Sequence, residues 1–189
     1  MKRTTIVLLT GGWGASPVEL AMRAGHQAAA RDLLATFSRL SQVERIIVGA
    51  DDRDWARTLE DLPATVDVDV PGEPFHFGRR LTDVIERYRL ERVLYTGAGS
   101  APLLRTEDWR GVLKRLGSSE RVVVTNNLHS CDWAGFTRAE EAAALIAPQT
   151  KDNGIAWTLA NEGGFASQAM APSAGARFDI DTPVDLLIA

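Results

Sequence analysis

This sequence predicts a three-layer α/β domain, with a mostly parallel sheet and helices on both faces. Two observations carry the prediction. Short β-rich apolar runs alternate along the chain with longer segments of helical periodicity. Such alternation implies parallel strands joined by right-handed crossovers. The chain of 189 residues, 45 % apolar and 24 % charged, suits one domain with a full-sized core, expected over residues 1–189. In such a fold, ligands gather outside the carboxyl ends of the strands, where strand order reverses. The loops after the strands are therefore the informative ones.

The elements follow in order. Residues 5–9 form a buried strand closed by Gly11-Gly12. Ser16-Pro17-Val18-Glu19 opens a helix: Ser16 caps, Pro17 fits the first helical position, and Glu19 completes a capping box. This helix meets a break signal at Gly25 and continues with the apolar stripe Leu33, Leu34, Phe37 and Leu40. A strand over 43–48, a short helix over 54–59 and a half-exposed strand over 65–70 come next. A helix then carries Leu81, Val84, Ile85 and Tyr88 on one face, and a strand over 92–96 runs into Gly97-Ala98-Gly99-Ser100-Ala101-Pro102. Thr106 is the expected cap of a helix with Glu107 and Asp108 in its first turn and Trp109 inward. A strand over 121–125 ends in Asn126-Asn127, and Thr137-Arg138-Ala139-Glu140 reads as a second capping box. A helix over 153–161, a short strand at 168–170, a last strand at 177–180 and a final helix opened by Thr182-Pro183 complete the chain. The sequence stops about two turns into that helix, as a truncated chain would.

Composition excludes some classes. The net charge of −4 argues against a nucleic-acid partner, whose binding needs concentrated Lys and Arg. No apolar run approaches the ~20 residues of a membrane span, and residues 6–9 are too short for a signal peptide. A cytoplasmic protein without membrane contact is expected, in line with the lone Cys131. A homodimer is allowed, but no residue pattern specifies one.

Four loops hold the candidate site. Gly11, Gly12, Trp13 and Gly14 lie between the first strand and the first helix, where free amides and the helix dipole suit a phosphate. They match neither a Walker A loop nor G-x-G-x-x-G, and a plain glycine turn is the alternative. Asp179 and Asp181 alternate with Phe178 and Ile180, which puts both carboxylates on one strand face. Two carboxylates plus substrate phosphates suit Mg²⁺; the alternative is that Asp181 or Thr182 caps the last helix. Asn126 and Asn127 follow a strand and offer hydrogen bonds to a base or acceptor, unless they only turn the chain. His129-Ser130-Cys131-Asp132 is a run of adjacent polar residues that cannot all face one site, and His26 and His76 show no ligand spacing. Trp109 and Trp157 fall on apolar helical faces and read as core.

Three segments carry a resemblance: the first strand into Gly11-Gly12, the segment Gly99-Ser100-Ala101-Pro102-Leu103-Leu104, and the closing Phe178-Asp179-Ile180-Asp181-Thr182-Pro183-Val184-Asp185-Leu186. The chain resembles nucleotidyltransferases of the GT-A-like, Rossmann-like fold, the group of the molybdenum-cofactor and phospholactate guanylyltransferases. The resemblance spans nearly the whole chain. It implies that Gly11, Gly12, Trp13, Gly14 and Ser100 contact the nucleotide, and that Asn126, Asn127 and Asp132 face a small-molecule acceptor. It further implies that Asp181, with Asp179, holds Mg²⁺, while the acceptor attacks the α-phosphorus and pyrophosphate leaves. The chain departs from the family pattern in three places. The glycine loop lacks the Arg and Lys, Ser100 stands at the central aspartate, and Val184 replaces the closing glutamate. Arg23, Arg105 or Asp132 would have to substitute. Active nucleotidyl transfer is the first expectation and a catalytically degraded, nucleotide-binding or regulatory relative the second. A glycosyltransferase on the same fold or an unrelated Rossmann-type enzyme stays open behind them.

Overall fold

A computed structural model describes residues 2–70 and 72–189. Met1 and Pro71, inside the single domain expected over 1–189, lie outside the described residues. The order is β1 Thr4–Leu9, α1 Pro17–Ser38, β2 Val43–Ala50, α2 Arg53–Arg57, β3 Thr65–Val68, α3 Phe77–Tyr88 and β4 Arg92–Gly97. It continues with α4 Thr106–Ser118, β5 Val122–Thr125, β6 Trp133–Thr137, α5 Ala139–Ile146, α6 Ile155–Asn161, β7 Ala166–Ala169, α7 Ala174–Arg177 and α8 Pro183–Ile188. The strands form one sheet in the order β3-β2-β1-β4-β6-β5-β7, parallel except for β6.

Alternation along each strand sorts side chains to two faces. Ile6, Leu8, Val48, Leu94 and Val124 meet Leu34 and Phe37 of α1 and Trp109 and Leu113 of α4. Val7, Leu9, Ile47, Val93 and Val123 meet Leu81 and Ile85 of α3, Ile146 of α5 and Leu159 of α6. The result is the three-layer arrangement that the sequence predicts. On the first face an edge-to-face chain runs from Phe37 to Trp109 to Trp133, each step with ring centroids 5.1 Å apart.

Ser16 caps α1 with the full capping box to Glu19. Gly25 breaks nothing: α1 is continuous, and the missing side chain leaves room for Leu186 of α8. The cap of α4 is Arg105, not Thr106; Asp108 accepts from the Arg105 N–H at 3.1 Å.

Three other expectations are corrected. Residues 133–137 are a strand that the sequence pattern hides, because Gly135 sits at its centre, where Leu116 packs against it. The short connection from β5 makes β6 antiparallel, since a parallel return needs a crossover of a dozen or more residues. Thr137 therefore forms no capping box. Its hydroxyl donates to Glu120 O at 3.0 Å and accepts from the Val122 N–H, while Arg138 opens α5 at φ 50. Finally, residues 177–180 are not a strand. α7 ends at Arg177, and only the antiparallel bridge between Ser100 and Asp179 follows.

Gly78 in α3 marks the tightest backbone approach. A Cβ there would lie 2.7 Å from both Ala147 O and Gln149 O, and its N–H already donates to Gln149 O at 2.8 Å. Backbone carbonyls cannot swing aside as a side-chain tip can. Gly78→Ala should destabilise by roughly 1–3 kcal/mol, the usual range for overpacking. Gly111, on an exposed position of α4 with open space around it, should stabilise by about 0.5–1 kcal/mol as Ala. Urea unfolding of the two variants measures both signs.

Candidate functional site

Chain order reverses between β1 and β4. β2 and β3 lie outside β1, and the later strands lie outside β4. The register pairs Leu9 with Gly97. The loop after β1 and the loop after β4 therefore leave the sheet side by side, at the crevice where α/β sheets bind ligands.

Gly11 (φ 138) and Gly12 (φ 87) have backbone angles that favour glycine. Beyond them, the α1 cap uses up part of the amide array. Glu19 accepts from the Gly14 N–H at 3.2 Å and the Ser16 N–H at 3.1 Å. The Ser16 hydroxyl and these amides hold the Glu19 carboxyl below its ordinary value. A carboxylate of the protein thus already sits on two donors of the helix N-terminus. Arg23 braces the loop from behind, donating to Trp13 O at 2.9 Å. Arg105 pairs with Asp108 on the exposed start of α4.

The second loop meets the closing segment. The Ser100–Asp179 bridge and the Ile180 N–H on Gly99 O (3.2 Å) draw residues 179–181 across the end of the sheet. The Ser100 hydroxyl donates to Asp132 O at 2.9 Å. Asn126 donates its amide to the Asp132 carboxylate and accepts from the Asp132 N–H at 3.1 Å. Asn127 accepts from the His129 N–H at 3.2 Å. In this state both asparagines hold the loop that presents Asp132.

Asp132, Asp179 and Asp181 form an electrostatic group. Burial raises the Asp179 carboxyl, and repulsion from Asp132 and Asp181 adds to it, together reaching about 7. Asp132 is also raised, by burial first and then by Asp181 and Asp152. Thr182 is the N-cap of α8, with Asp185 as its reciprocal partner. The Asp181 carboxylate is exposed and accepts no hydrogen bond among the described residues. Its capping role is thereby excluded.

A cavity of about 590 Å³ is bordered by Gly11, Gly12, Asp51, Tyr95, Lys151 and Asp152, and the charge of Asp152 reaches Asp132 and Asp179 of this group. Four of these residues escape sequence reasoning. Asp51 stands over Gly11, where a Cβ would lie 2.8 Å from its carboxyl carbon. Burial raises its carboxyl, with Arg23 pulling the other way. Tyr95 is buried and donates to Asp152 at 2.7 Å. Lys151 and Arg53 line the cavity and form no ion pair among the described residues. Their signal in the sequence is only that they follow a strand or a helix at this end of the sheet.

Other polar candidates resolve as structure. Cys131 is buried, and its thiol is pushed up to about 11, mainly by burial, so it stays protonated at neutral pH. His76 caps α3. Trp109 is core as expected, but Trp157 is 41 % exposed.

Among the described residues, no group of three His, Cys, Asp or Glu side chains is arranged to hold a metal ion. The donor set still suits a hard divalent cation in part. The carboxylates repel one another, and Asp181 is free to bind. One or two carboxylates with substrate phosphates and water is an ordinary Mg²⁺ arrangement. No described helix is long and apolar enough to cross a membrane.

The raised Asp179 sets a sign for pH dependence. Between roughly pH 4 and about 7 the folded protein holds a proton that the unfolded chain has released. Stability should therefore fall as pH rises through that window and level off above it. Asp132 and Asp51, both raised, add in the same direction. Asp179→Asn should flatten the melting-temperature profile and melt above the parent at pH 8. Parallel profiles for parent and variant between pH 5 and 8 would place the Asp179 carboxyl at its ordinary value.

No protein-family model matches the chain, and no curated protein does. Solved structures match along its whole length. CMP:2-keto-3-deoxy-manno-octonic acid synthetase complexed with CTP aligns with 98 % of this chain and 96 % of its own, at 10 % identity and TM-score 0.66. 4-Diphosphocytidyl-2C-methyl-D-erythritol synthase from Anaerococcus prevotii covers 99 % and 96 %, at 15 % identity and TM-score 0.65. A Mycobacterium tuberculosis protein in complex with manganese covers 100 % of both chains, at 16 % identity and TM-score 0.62. The chain thus has the Rossmann-like α/β fold of these structures, and identities this low establish the fold alone.

Proposed function

We propose that this protein is a Mg²⁺-dependent nucleotidyltransferase. It binds a nucleoside triphosphate at the β1 loop and transfers the nucleotidyl group to a small phosphorylated or hydroxyl acceptor, releasing pyrophosphate. The observation that carries this reading is the group Asp132, Asp179 and Asp181, whose charge is coupled through Asp152 to the Gly11–Gly12 cavity. Burial and mutual repulsion leave a site that a divalent cation with phosphates would relieve.

The roles follow from position. Gly11, Gly12 and Trp13 form the loop that meets the phosphates, and Ser100 holds Asp132. Asp181 binds the cation directly, and Asp179 assists directly or through water. Asn126 and Asn127 shape the loop on the acceptor side. The acceptor oxygen bonds to the α-phosphorus as the bond to the bridging oxygen breaks, and pyrophosphate departs with that electron pair; a phosphate acceptor attacks as the anion, and a hydroxyl acceptor gives up its proton to solvent. A bound cation supplies neutralisation of phosphate charge; the chain supplies alignment. The resemblance, to guanylyltransferases, leaves the base open, and a structural neighbour was solved with CTP. GTP and CTP are the triphosphates to test first.

One observation favours a binding-only relative. Glu19 occupies the Gly14 and Ser16 amides, and the loop itself brings no cation. Triphosphate affinity without metal should then be weak, and a catalytic charge is missing at Ser100.

The test is a thermal-shift series of the four nucleoside triphosphates, in Mg²⁺ and in EDTA. At about 100 times Kd a ligand adds about 2.7 kcal/mol, some 5–10 °C for a chain of this size. The shift should appear in Mg²⁺ and largely vanish in EDTA. Asp181→Asn should abolish the Mg²⁺-dependent part while unliganded stability stays within about 0.5 kcal/mol. Equal shifts for parent and variant in Mg²⁺ would remove the metal role. Gain of pyrophosphate release in Ser100→Asp over an inactive parent would favour the binding-only relative.

A further inference from the structure

His26 joins three loops of the candidate site although it belongs to none of them. It lies within α1, half-buried, with Nε2 2.6 Å from Ile180 O. A carbonyl oxygen only accepts, so Nε2 carries the proton and donates it. The ring stands edge-on to Trp13, centroids 4.8 Å apart at 77°. Its other flank lies against Gly99, where a Cβ would come within 2.7 Å of Cε1 and 2.8 Å of Nε2. One imidazole therefore touches the loop after β1, the loop after β4 and the closing segment. Any side chain at residue 99 would evict it.

The contact with Ile180 bears on Asp181 because the two residues share a peptide unit. His26 holds the carbonyl side of that unit. On its other side, the Asp181 N–H reaches Asp185 Oδ2 at 3.3 Å, within the α8 cap. The backbone of Asp181 is thus clamped from both directions, while its carboxylate keeps free oxygens.

We propose that His26 is a positioning residue. Its hydrogen bond to Ile180 O aims the Asp181 carboxylate at the cation that accompanies the nucleotide, and its ring seats Trp13 beside the same phosphates. This role rests on the nucleotidyltransferase reading above.

Two substitutions separate the hydrogen bond from the packing. His26→Phe keeps an aromatic ring against Trp13 and Gly99 but has no donor. His26→Gln keeps an N–H donor and loses the ring. Binding of each nucleoside triphosphate to parent and variants is measured by calorimetry in Mg²⁺ and in EDTA, with circular dichroism confirming the fold. His26→Phe should lose about tenfold or more in Mg²⁺-dependent affinity, the scale on which residues supporting a metal ligand act, and match the parent in EDTA. His26→Gln should recover most of that loss. The role of His26 is overturned if His26→Phe binds like the parent in Mg²⁺. It is equally overturned if His26→Phe loses affinity by the same factor in Mg²⁺ and EDTA, because the hydrogen bond would then hold the loops together without aiming a metal ligand. A parent that binds none of the four triphosphates under either condition overturns the proposed function and this role with it.

Discussion

The pairing of β1 with β4 at the centre of the sheet is the constraint on which the site depends. Both strands are buried on both faces, so their register has little freedom: a slip of one residue would exchange the two cores. With Leu9 opposite Gly97, the chain must leave both strands at the same level. The loops that carry Gly11–Gly12 and Gly99–Ser100 then leave the sheet side by side. The rest is hung on this pair. The Ser100–Asp179 bridge brings back the end of the chain, and the Ser100 hydroxyl fixes the entry to β6.

Electrostatics at this end of the sheet differs from a simple anion seat. A helix N-terminus favours negative charge, and here Glu19 supplies it. The cavity beside it is bordered by Asp51 and Asp152 as well as by Lys151 and Arg53. A triphosphate entering alone would meet more carboxylate than cation. Entering with a divalent cation, it would meet a site whose raised carboxyls gain from losing their protons. Under the proposed function, this charge balance favours a metal–nucleotide complex over free nucleotide.

The fold was largely legible because its signals are local. Helix starts at Ser16 and Thr182 follow from residues three positions apart, and apolar runs mark β1, β2, β4 and β5. The failures also have local causes. Gly135 interrupts the pattern of β6, which pairs between β4 and β5 with Leu116 packed onto that glycine. Thr137 and Glu140 have the spacing of a capping box, but the Thr137 hydroxyl is claimed by Glu120 and Val122 from the neighbouring strand. Residues 177–180 alternate like a strand yet pair only through the bridge between Ser100 and Asp179.

By itself the sequence determined the alternation of elements, the buried strands, the capped helices and the acidic closing segment, all set by contacts within a few residues. It also placed Ser100 and the glycine loop after strands, at the end where α/β sheets bind ligands, but put Asp179 in a strand that does not form. Only the tertiary structure decided that Asn126 and Ser100 act on Asp132, and that burial and neighbouring carboxylates raise the Asp179 carboxyl. It alone brought in His26, Asp51, Tyr95 and Lys151. Their parts depend on neighbours far along the chain: Ile180 lies 154 residues from His26, and Asp152 lies 57 from Tyr95. Burial and charge are summed over such neighbours, and no local pattern in a sequence encodes that sum.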